Sequence, residues 1–199
     1  MQTDLAARIH EADPDSRMAT VGPDFLDRVA PNTQMILGLQ SAQGSESLIC
    51  APYHRLLVAS KSERFGFGQI DSDAALLDLM AVRWLAATVP VESDGWRLEG
   101  MLETRLYENT EAVSRAFVPN EVLALSDDDA IFQAVEHDPA EIVHIHAEHG
   151  GDWQPDARPE VSITDYAANS VTVEGEMRAV SWVVLADVAY PGWRAYADG

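Results

Sequence analysis

Residues 181–199 read SWVVLADVAYPGWRAYADG, and this stretch decides the predicted architecture of the C-terminal part of the chain. An apolar run of strand length ends at Asp187, and the turn-forming sequence Tyr-Pro-Gly follows at 190–192. Residues 193–197 predict a second strand with aromatic side chains available for packing. Asp198-Gly199 is a strong hairpin signal, because both turn positions favour positive φ. The stretch therefore predicts a central hairpin whose next strand lies beyond residue 199, in a longer parent protein.

The preceding sequence has the spacing of successive short strands. Strand patterns occupy 161–166, 171–174 and 179–187, and turn-forming residues separate them at 168–169 and 175–176. Short strands at this spacing are typical of antiparallel β-sandwiches. We therefore expect residues 151–199 to form a truncated, β-sandwich-like module that packs on the rest of the chain.

Residues 1–150 mix helical and strand patterns. Leu5, Ile9 and Ala12 have helical spacing, and Asp4 is a favourable N-cap residue for that helix. Further helices are predicted at 33–39, 73–81 and 127–137, and strands at 17–21, 82–89, 96–99, 102–108 and 141–147. The predicted fold class is α+β, with a mixed α/β region over 1–150 followed by the antiparallel β-sandwich-like module over 151–199.

The charge of the chain is extreme. It has 13 Lys and Arg against 33 Asp and Glu, for a net charge of -20, and Lys61 is its one lysine. Such a surface repels nucleic acid and anionic lipid, and it is best tolerated at high ionic strength. We therefore expect no nucleic-acid partner and a source adapted to high salt; an acidic protein from a high-GC genome is the alternative. No apolar run reaches the roughly 18–20 residues that span a bilayer, so the isolated chain is expected to be soluble.

A series of short sequences follows one another in a characteristic order. In the first half these are Arg17 near a strand start, Pro31-Asn32, Gly38, the loop Gly-Ser-Glu-Ser-Leu at 44–48, and Tyr53. In the second half they are Tyr107-Glu108-Asn109, Arg115-Ala116-Phe117, and Asp187 with the Tyr-Pro-Gly-Trp that ends at Trp193. This order resembles the soluble C-terminal region of YfhO-type bacterial membrane proteins, which are multi-span proteins of the GT-C glycosyltransferase class. The resemblance covers about residues 17–199.

Two positions depart from the family pattern. The loop at 44–48 lacks the aromatic residue of the common Gly-Tyr-Asp-Ser, so a stacking role for that residue is not carried over. Ser114 stands where the family has a proline before Arg-Ala-Phe, which loosens the turn without changing the strand.

The resemblance implies a location and a role. It implies a domain on the extracytoplasmic face of the bacterial plasma membrane, joined to the membrane part of the same parent protein. The parent would transfer sugar from a lipid-linked donor, and in GT-C proteins the catalytic carboxylates lie in loops of the membrane part. The domain is therefore expected to be non-catalytic and to assist by acceptor binding or assembly. A glycan or lipid-linked sugar is the implied partner, and no cofactor is expected.

One candidate ligand site lies in the opening stretch. Asp187, Tyr190, Trp193 and Arg194 cluster around its turn. A carboxylate can bind sugar hydroxyls while aromatic rings cover the C–H faces of the sugar. The structural alternative is that Asp187 accepts hydrogen bonds from turn amides and that Trp193 fills the sandwich.

A second candidate site is the histidine-rich sequence 144–149. His144 and His146 lie on one face of a predicted strand, and His149 or Glu148 can close a site from the following loop. Such a set suits zinc or another divalent metal, and the alternative is an exposed strand face with titratable side chains. The alternative function is thus a free-standing metal- or ligand-binding protein that uses His144, His146 and His149. A free-standing carbohydrate-active enzyme is a third hypothesis.

Overall fold

The computed structural model describes residues 4–22, 33–43, 51–59, 75–125, 137–150, 153, 159–189 and 191–197. The helices are α1 (Asp4–Ala12), α2 (Thr33–Ile36), α3 (Ala51–Ala59) and α4 (Ala75–Leu79), with a 3-10 helix at Ala147–His149. The strands are β1 (Arg17–Val21), β2 (Gln40–Ser41), β3 (Val82–Ala87), β4 (Trp96–Met101), β5 (Arg105–Asn109), β6 (Ala116–Phe117), β7 (Glu121–Leu125), β8 (Ile142–His146), β9 (Val161–Ala167), β10 (Ser170–Gly175) and β11 (Val184–Leu185). The predicted helix at 127–137, except its last residue, and the family-like sequences at 31–32 and 44–48 lie outside the described residues.

A mixed five-stranded sheet forms the first part of the molecule. Its strand order is β2-β1-β3-β5-β4, with β1 parallel to β2 and β3, and β5 antiparallel to β3 and β4. The predicted strands at 17–21 and 82–89 and the predicted pair at 96–99 and 102–108 are confirmed, with small changes at their ends. The chain is therefore α+β, as expected. None of the described helices has the length and apolar character of a membrane span.

The sheet buries both of its faces under helices. One face packs against α1 through Leu5, Ala6, Ile9, Met18, Leu39, Trp84, Ala86 and Leu106. The other packs against α4 and α3 through Ala19, Val21, Leu76, Leu77, Val82, Leu85, Ala87 and Tyr107, with Tyr53 and Leu56 at its margin. The register of β1 and β3 shifts between Arg17 and Met18, so Arg83 is an exposed bulge and its neighbours Val82 and Trp84 pack on opposite faces of the sheet.

The first turn of α1 is capped by a residue distant in sequence. The Glu103 carboxylate, in the turn between β4 and β5, accepts the backbone N–H of Asp4 at 2.9 Å and that of Leu5 at 3.1 Å. The predicted helix over 4–12 is confirmed, but the Asp4 side chain is not what satisfies these amides. A carboxylate at this end of the helix also complements its dipole.

The Tyr-Glu-Asn sequence at 107–109 connects β5 to the loop after β3 and to helix α4. Tyr107 packs in the core, and its hydroxyl accepts the Val91 N–H at 3.1 Å. Asn109 is buried, and its amide donates to Asp78 of α4 at 2.6 Å and to the Val82 carbonyl at 3.2 Å. Burial raises the pKa of the Asp78 carboxyl, while the hydrogen bond from Asn109 opposes the rise.

The C-terminal part is built from small β units. Strands β9 and β10 form an antiparallel hairpin around the predicted turn at 168–169, β11 pairs with β6, and β7 pairs with β8 in parallel. The predicted strand over 179–187 is wrong except at Val184–Leu185, and the predicted strand at 193–197 is absent from the described residues. Strand β6 pairs with only two residues of this segment, and Val180 within it is 89% exposed.

Candidate functional site

Arg17 connects the five-stranded sheet to the C-terminal segment. It is the first residue of β1, whose four following residues are all buried. Its guanidinium donates to the Met80 carbonyl at 3.1 Å and to the Ala186 carbonyl at 2.5 Å. A third contact joins it to a carboxylate oxygen of Asp187 at 3.1 Å. The arginine thus fixes the chain around 186–187 at the N-terminal end of β1.

Arg115 reaches the same carboxylate from the residue before β6. Its Nη2 lies 2.9 Å from Asp187 Oδ2 and 2.9 Å from the Tyr166 hydroxyl, and its Nη1 contacts the Gln40 side-chain oxygen. The guanidinium carbon lies 4.2 Å from the centre of the Tyr166 ring, which is a cation–π distance. Only 5% of the Arg115 side chain is exposed. These contacts hold β9 against β2 and β6.

The Asp187 carboxylate is fully engaged by this arginine cluster, which we define as Arg17, Arg115, Tyr166 and Asp187. Its Oδ2 accepts from Arg115 and from the Tyr166 hydroxyl at 3.0 Å, while Oδ1 accepts from Arg17 and from the Val188 N–H at 2.9 Å. The backbone contact to Val188 agrees with the structural alternative for Asp187. A carboxylate with four donors has little capacity left for sugar hydroxyls.

Two guanidinium groups share one carboxylate in this cluster. Burial, and next the positive charge of Arg115, lower the pKa of Arg17, while Asp187 and Tyr166 oppose the shift. Asp187 pairs with both arginines, and removal of that carboxylate would leave two largely buried cations together. The arginine cluster therefore has a structural role: it connects the C-terminal segment to the five-stranded sheet.

The other candidate residues line an open cleft of about 580 Å³. The cleft lies between the β9–β10 turn and the Pro191-Gly192 turn, and Gly192 has a φ of +106° that favours glycine. Its described lining consists of Ala168, Asn169, Ser170, Val171, Pro191, Gly192, Trp193, Arg194 and Tyr196. We refer to this feature as the aromatic cleft.

The aromatic side chains of this cleft are open to solvent. Trp193 is 44% exposed and Tyr196 is 84% exposed. The expectation that Trp193 fills the interior of a sandwich is therefore wrong. Asn169 and Ser170 add neutral hydrogen-bonding groups, and Arg194 adds a cation. Rings for stacking beside a few polar groups are the composition that a saccharide requires.

The predicted ligand site is thus divided by the structure. Trp193 and Arg194 line the aromatic cleft, whereas Asp187 belongs to the arginine cluster and is not among the described residues of the cleft. Tyr190 lies outside the described residues. Tyr196 and the turn residues Asn169 and Ser170 were not anticipated as site residues.

Sequence reasoning assigned no role to Arg17 and Arg115, although both were part of the family-like series. A usable signal was present in a chain with few cations, since Arg17 begins a strand whose next four residues are buried and Arg115 directly precedes a short buried strand. Tyr166 carried no comparable signal. Its contact with Arg115 spans 51 residues of sequence and depends on the packing of β9 beside β6.

The histidines occupy β8 and the 3-10 helix after it. The ring of His144 faces that of His137 at 5.4 Å, and the rings of His146 and His149 are 6.3 Å apart. Glu148 Oε1 lies 3.5 Å from His149 and 3.9 Å from His146. Burial, and next His137, lower the pKa of His144. Within the described part of the chain, no three His, Cys, Asp or Glu side chains are grouped as metal ligands, so the metal site of His144, His146 and His149 stays a prediction.

Comparison of the chain with protein-family models, with curated proteins and with solved structures finds no match.

Proposed function

We propose that this chain is a non-catalytic, extracytoplasmic domain of a polytopic membrane protein of the YfhO type, and that it assists sugar transfer from a lipid-linked donor by binding the acceptor glycan. The observation that carries the binding role is the aromatic cleft. Its exposed Trp193 and Tyr196 stand beside Asn169 and Ser170, which is a combination suited to the faces and hydroxyls of a sugar.

The family-like series supports the assignment in a second way. Arg17, Arg115 and Asp187 come from three separate parts of that series, and both arginines form ion pairs with Asp187 in the arginine cluster. In this proposal the role of these ion pairs is to hold the C-terminal module, and with it the aromatic cleft, on the five-stranded sheet.

The proposal includes a finer architecture for the C-terminal part. The β9–β10 hairpin is one layer of a sandwich-like module over 151–199, and β11, which pairs with β6 (Ala116–Phe117) of the first part of the chain, lies in the other layer. The support is that β6 packs against β9, and that Val161, Ile163, Val171 and Val173 are half-buried while their neighbours in sequence are exposed.

Glycan binding by the isolated chain tests the binding role. We expect acceptor-type oligosaccharides to bind the wild-type chain and the Ile36→Ala control, because Ile36 is an exposed apolar residue on α2 outside the cleft. Trp193→Ala and Tyr196→Ala should each weaken binding about tenfold, since stacking on a ring contributes on the order of 1 kcal/mol or more. Equal binding by all variants would remove the cleft from the proposal.

Two further measurements test the membrane assignment. The reading frame around this chain should encode apolar segments long enough to span a bilayer. The isolated chain should neither hydrolyse nor transfer sugars. Glycan hydrolysis by the purified chain that is lost on substitution of a carboxylate would favour the free-standing enzyme instead.

A further inference from the structure

The described lining of the aromatic cleft has no acidic side chain. The whole chain has 33 Asp and Glu and a net charge of -20, yet the residues that line the cleft include one arginine and no carboxylate among those described. Most of this acidic surface repels anions. A cleft that is lined by no carboxylate can bind a negatively charged group more readily than the rest of the surface.

Arg194 is the group in the cleft that can bind an anion. The structure shows no ion pair to it among the described residues, and Trp193 precedes it directly on the cleft wall. A guanidinium presents a planar fork that matches a carboxylate with two parallel hydrogen bonds. A single arginine among neutral polar groups is suited to a bound sugar unit that carries one negative charge.

The neutral groups complete the site. The rings of Trp193 and Tyr196 can cover the C–H faces of a pyranose, and the Asn169 amide and the Ser170 hydroxyl can bond its hydroxyls. The cleft volume of about 580 Å³ falls within the range of small-molecule sites. Room, stacking surface, hydroxyl recognition and a single cation therefore occur together.

We propose that the aromatic cleft binds an acidic sugar, a uronic acid unit whose carboxylate is held by Arg194 and whose ring stacks on Trp193 and Tyr196. This inference rests on the proposed function and names the class of acceptor. Specificity comes from the charge pair, because a neutral sugar of the same shape leaves the guanidinium without its partner.

A matched pair of ligands tests this inference on the full chain. The first is a tetramer of galacturonic acid, and the second is the same tetramer with its carboxyl groups reduced to alcohols. Dissociation constants are measured by calorimetry at one fixed ionic strength, since screening weakens any attraction between exposed charges. We expect the acidic tetramer to bind at least about tenfold more tightly, as for a hydrogen-bonded charge pair.

Two arginine variants distinguish the site from general attraction. Arg194→Gln should abolish the preference for the acidic tetramer and leave binding of the reduced tetramer unchanged. Arg178→Gln is the control, because Arg178 is exposed in the same segment but does not line the cleft. An equal loss of preference in both variants would overturn the inference, since the effect would then be nonspecific.

The remaining outcomes separate the two proposals. If both tetramers bind equally and Trp193→Ala weakens both, the cleft binds neutral sugar; the acidic-sugar inference fails while the proposed function stands. If neither tetramer binds, the inference fails, and a parallel screen of neutral acceptor oligosaccharides decides whether the proposed function fails with it.

Discussion

Strands β3 and β9 are nearly equal in length but lie in opposite environments. Five of the six residues of β3 are buried, whereas none of the seven residues of β9 is buried. Strand β3 has a neighbour on each side and helices over both faces, while β9 has a hairpin partner and rests on the two-residue strand β6. A lone hairpin is marginal in water, so β9 and β10 depend on what holds them to the rest of the molecule.

The two regions are stabilised by different forces. Apolar burial stabilises the five-stranded sheet, at about 25 cal/mol for each Å² removed from water. Among the described residues from 159 to 197, Ala186 is the one buried side chain. Directional contacts hold that segment: the arginine cluster, the β6–β11 pair and a 3.2 Å hydrogen bond from Trp153 to the Val180 carbonyl. Substitutions in the two regions should therefore have different consequences.

The largest effect is expected where a tryptophan is removed from the sheet. Trp84 is 1% exposed, and its indole N–H donates to the Ser16 hydroxyl at 2.9 Å. Trp84→Ala should lower the free energy of unfolding by about 3–5 kcal/mol, because it leaves a cavity and removes the hydrogen bond that the Ser16 hydroxyl accepts. The matched change Trp193→Ala removes a half-exposed ring and should cost below about 0.5 kcal/mol. Urea unfolding of both variants checks this, and similar losses would contradict the comparison of the two regions.

The next effect should be confined to the C-terminal segment. Asp187→Asn removes the charge that compensates Arg17 and Arg115, at a cost of about 2–4 kcal/mol. Hydrogen exchange should show much faster exchange of the β9 and β10 amides and little change in β3, because the segment opens before the sheet. Asp165→Asn, an exposed change on β9, is the control and should leave exchange nearly unaltered. Equal acceleration in β3 and β9 would show that the two regions unfold as one unit.

A pH effect is expected inside the sheet region at Asp78. Burial raises the pKa of this carboxyl above 3.8, so the folded state keeps a proton that the unfolded state releases. Stability should therefore fall as pH increases from about 4 through the raised pKa of Asp78. Asp78→Asn should remove that decline in stability and still accept the hydrogen bond from Asn109. The control variant Asp94→Asn, at an exposed position, should leave the decline in place. Urea titrations at a series of pH values measure it, and an unchanged profile in Asp78→Asn would assign the decline to other groups.

The smallest effect is expected in the exposed ion pairs of the sheet. Hydrogen bonds from Arg97, and next from Arg8, lower the pKa of Glu99. The stability from this lowered pKa is present above about 4.5 and is lost as pH falls through the folded value. Arg97→Gln should move the pKa of Glu99 back toward its ordinary value, with a small change in stability that molar salt removes. An NMR titration of Glu99 measures the shift, and Arg178→Gln is expected to leave it unchanged.

Predictability from sequence followed the strength of the burial pattern. Sequence patterns predicted helix α1, strands β1 and β3, and the turn at 168–169. They could do so because side-chain periodicity and turn chemistry are local properties. The strands at 179–187 and 193–197 were mispredicted for the same reason. β-propensity describes residues that fit a pleated sheet, but a strand also needs a backbone partner, which local sequence does not specify.

The candidate sites show the same division. Trp193 and Arg194 were predicted as site residues because aromatic and charged residues beside a turn form a local pattern, and both line the aromatic cleft. The roles of Arg17, Arg115 and Tyr166 were not found, because their contacts with Asp187 cross 170, 72 and 21 residues of sequence. Sequence alone also grouped Asp187 with Trp193, although the arginine cluster occupies its carboxylate.

The sequence by itself determined the α+β class, the acidic charge, the packed helix over 4–12 and the strands of the central sheet, since all of these follow from residue type and spacing. The tertiary structure alone decided that Glu103 caps α1, that two arginines converge on Asp187, and that the described residues from 181 to 197 have little regular secondary structure beyond Val184–Leu185. These features depend on which distant segments become neighbours. That choice is made by packing of the whole chain, through burial and hydrogen bonding that no single stretch contains.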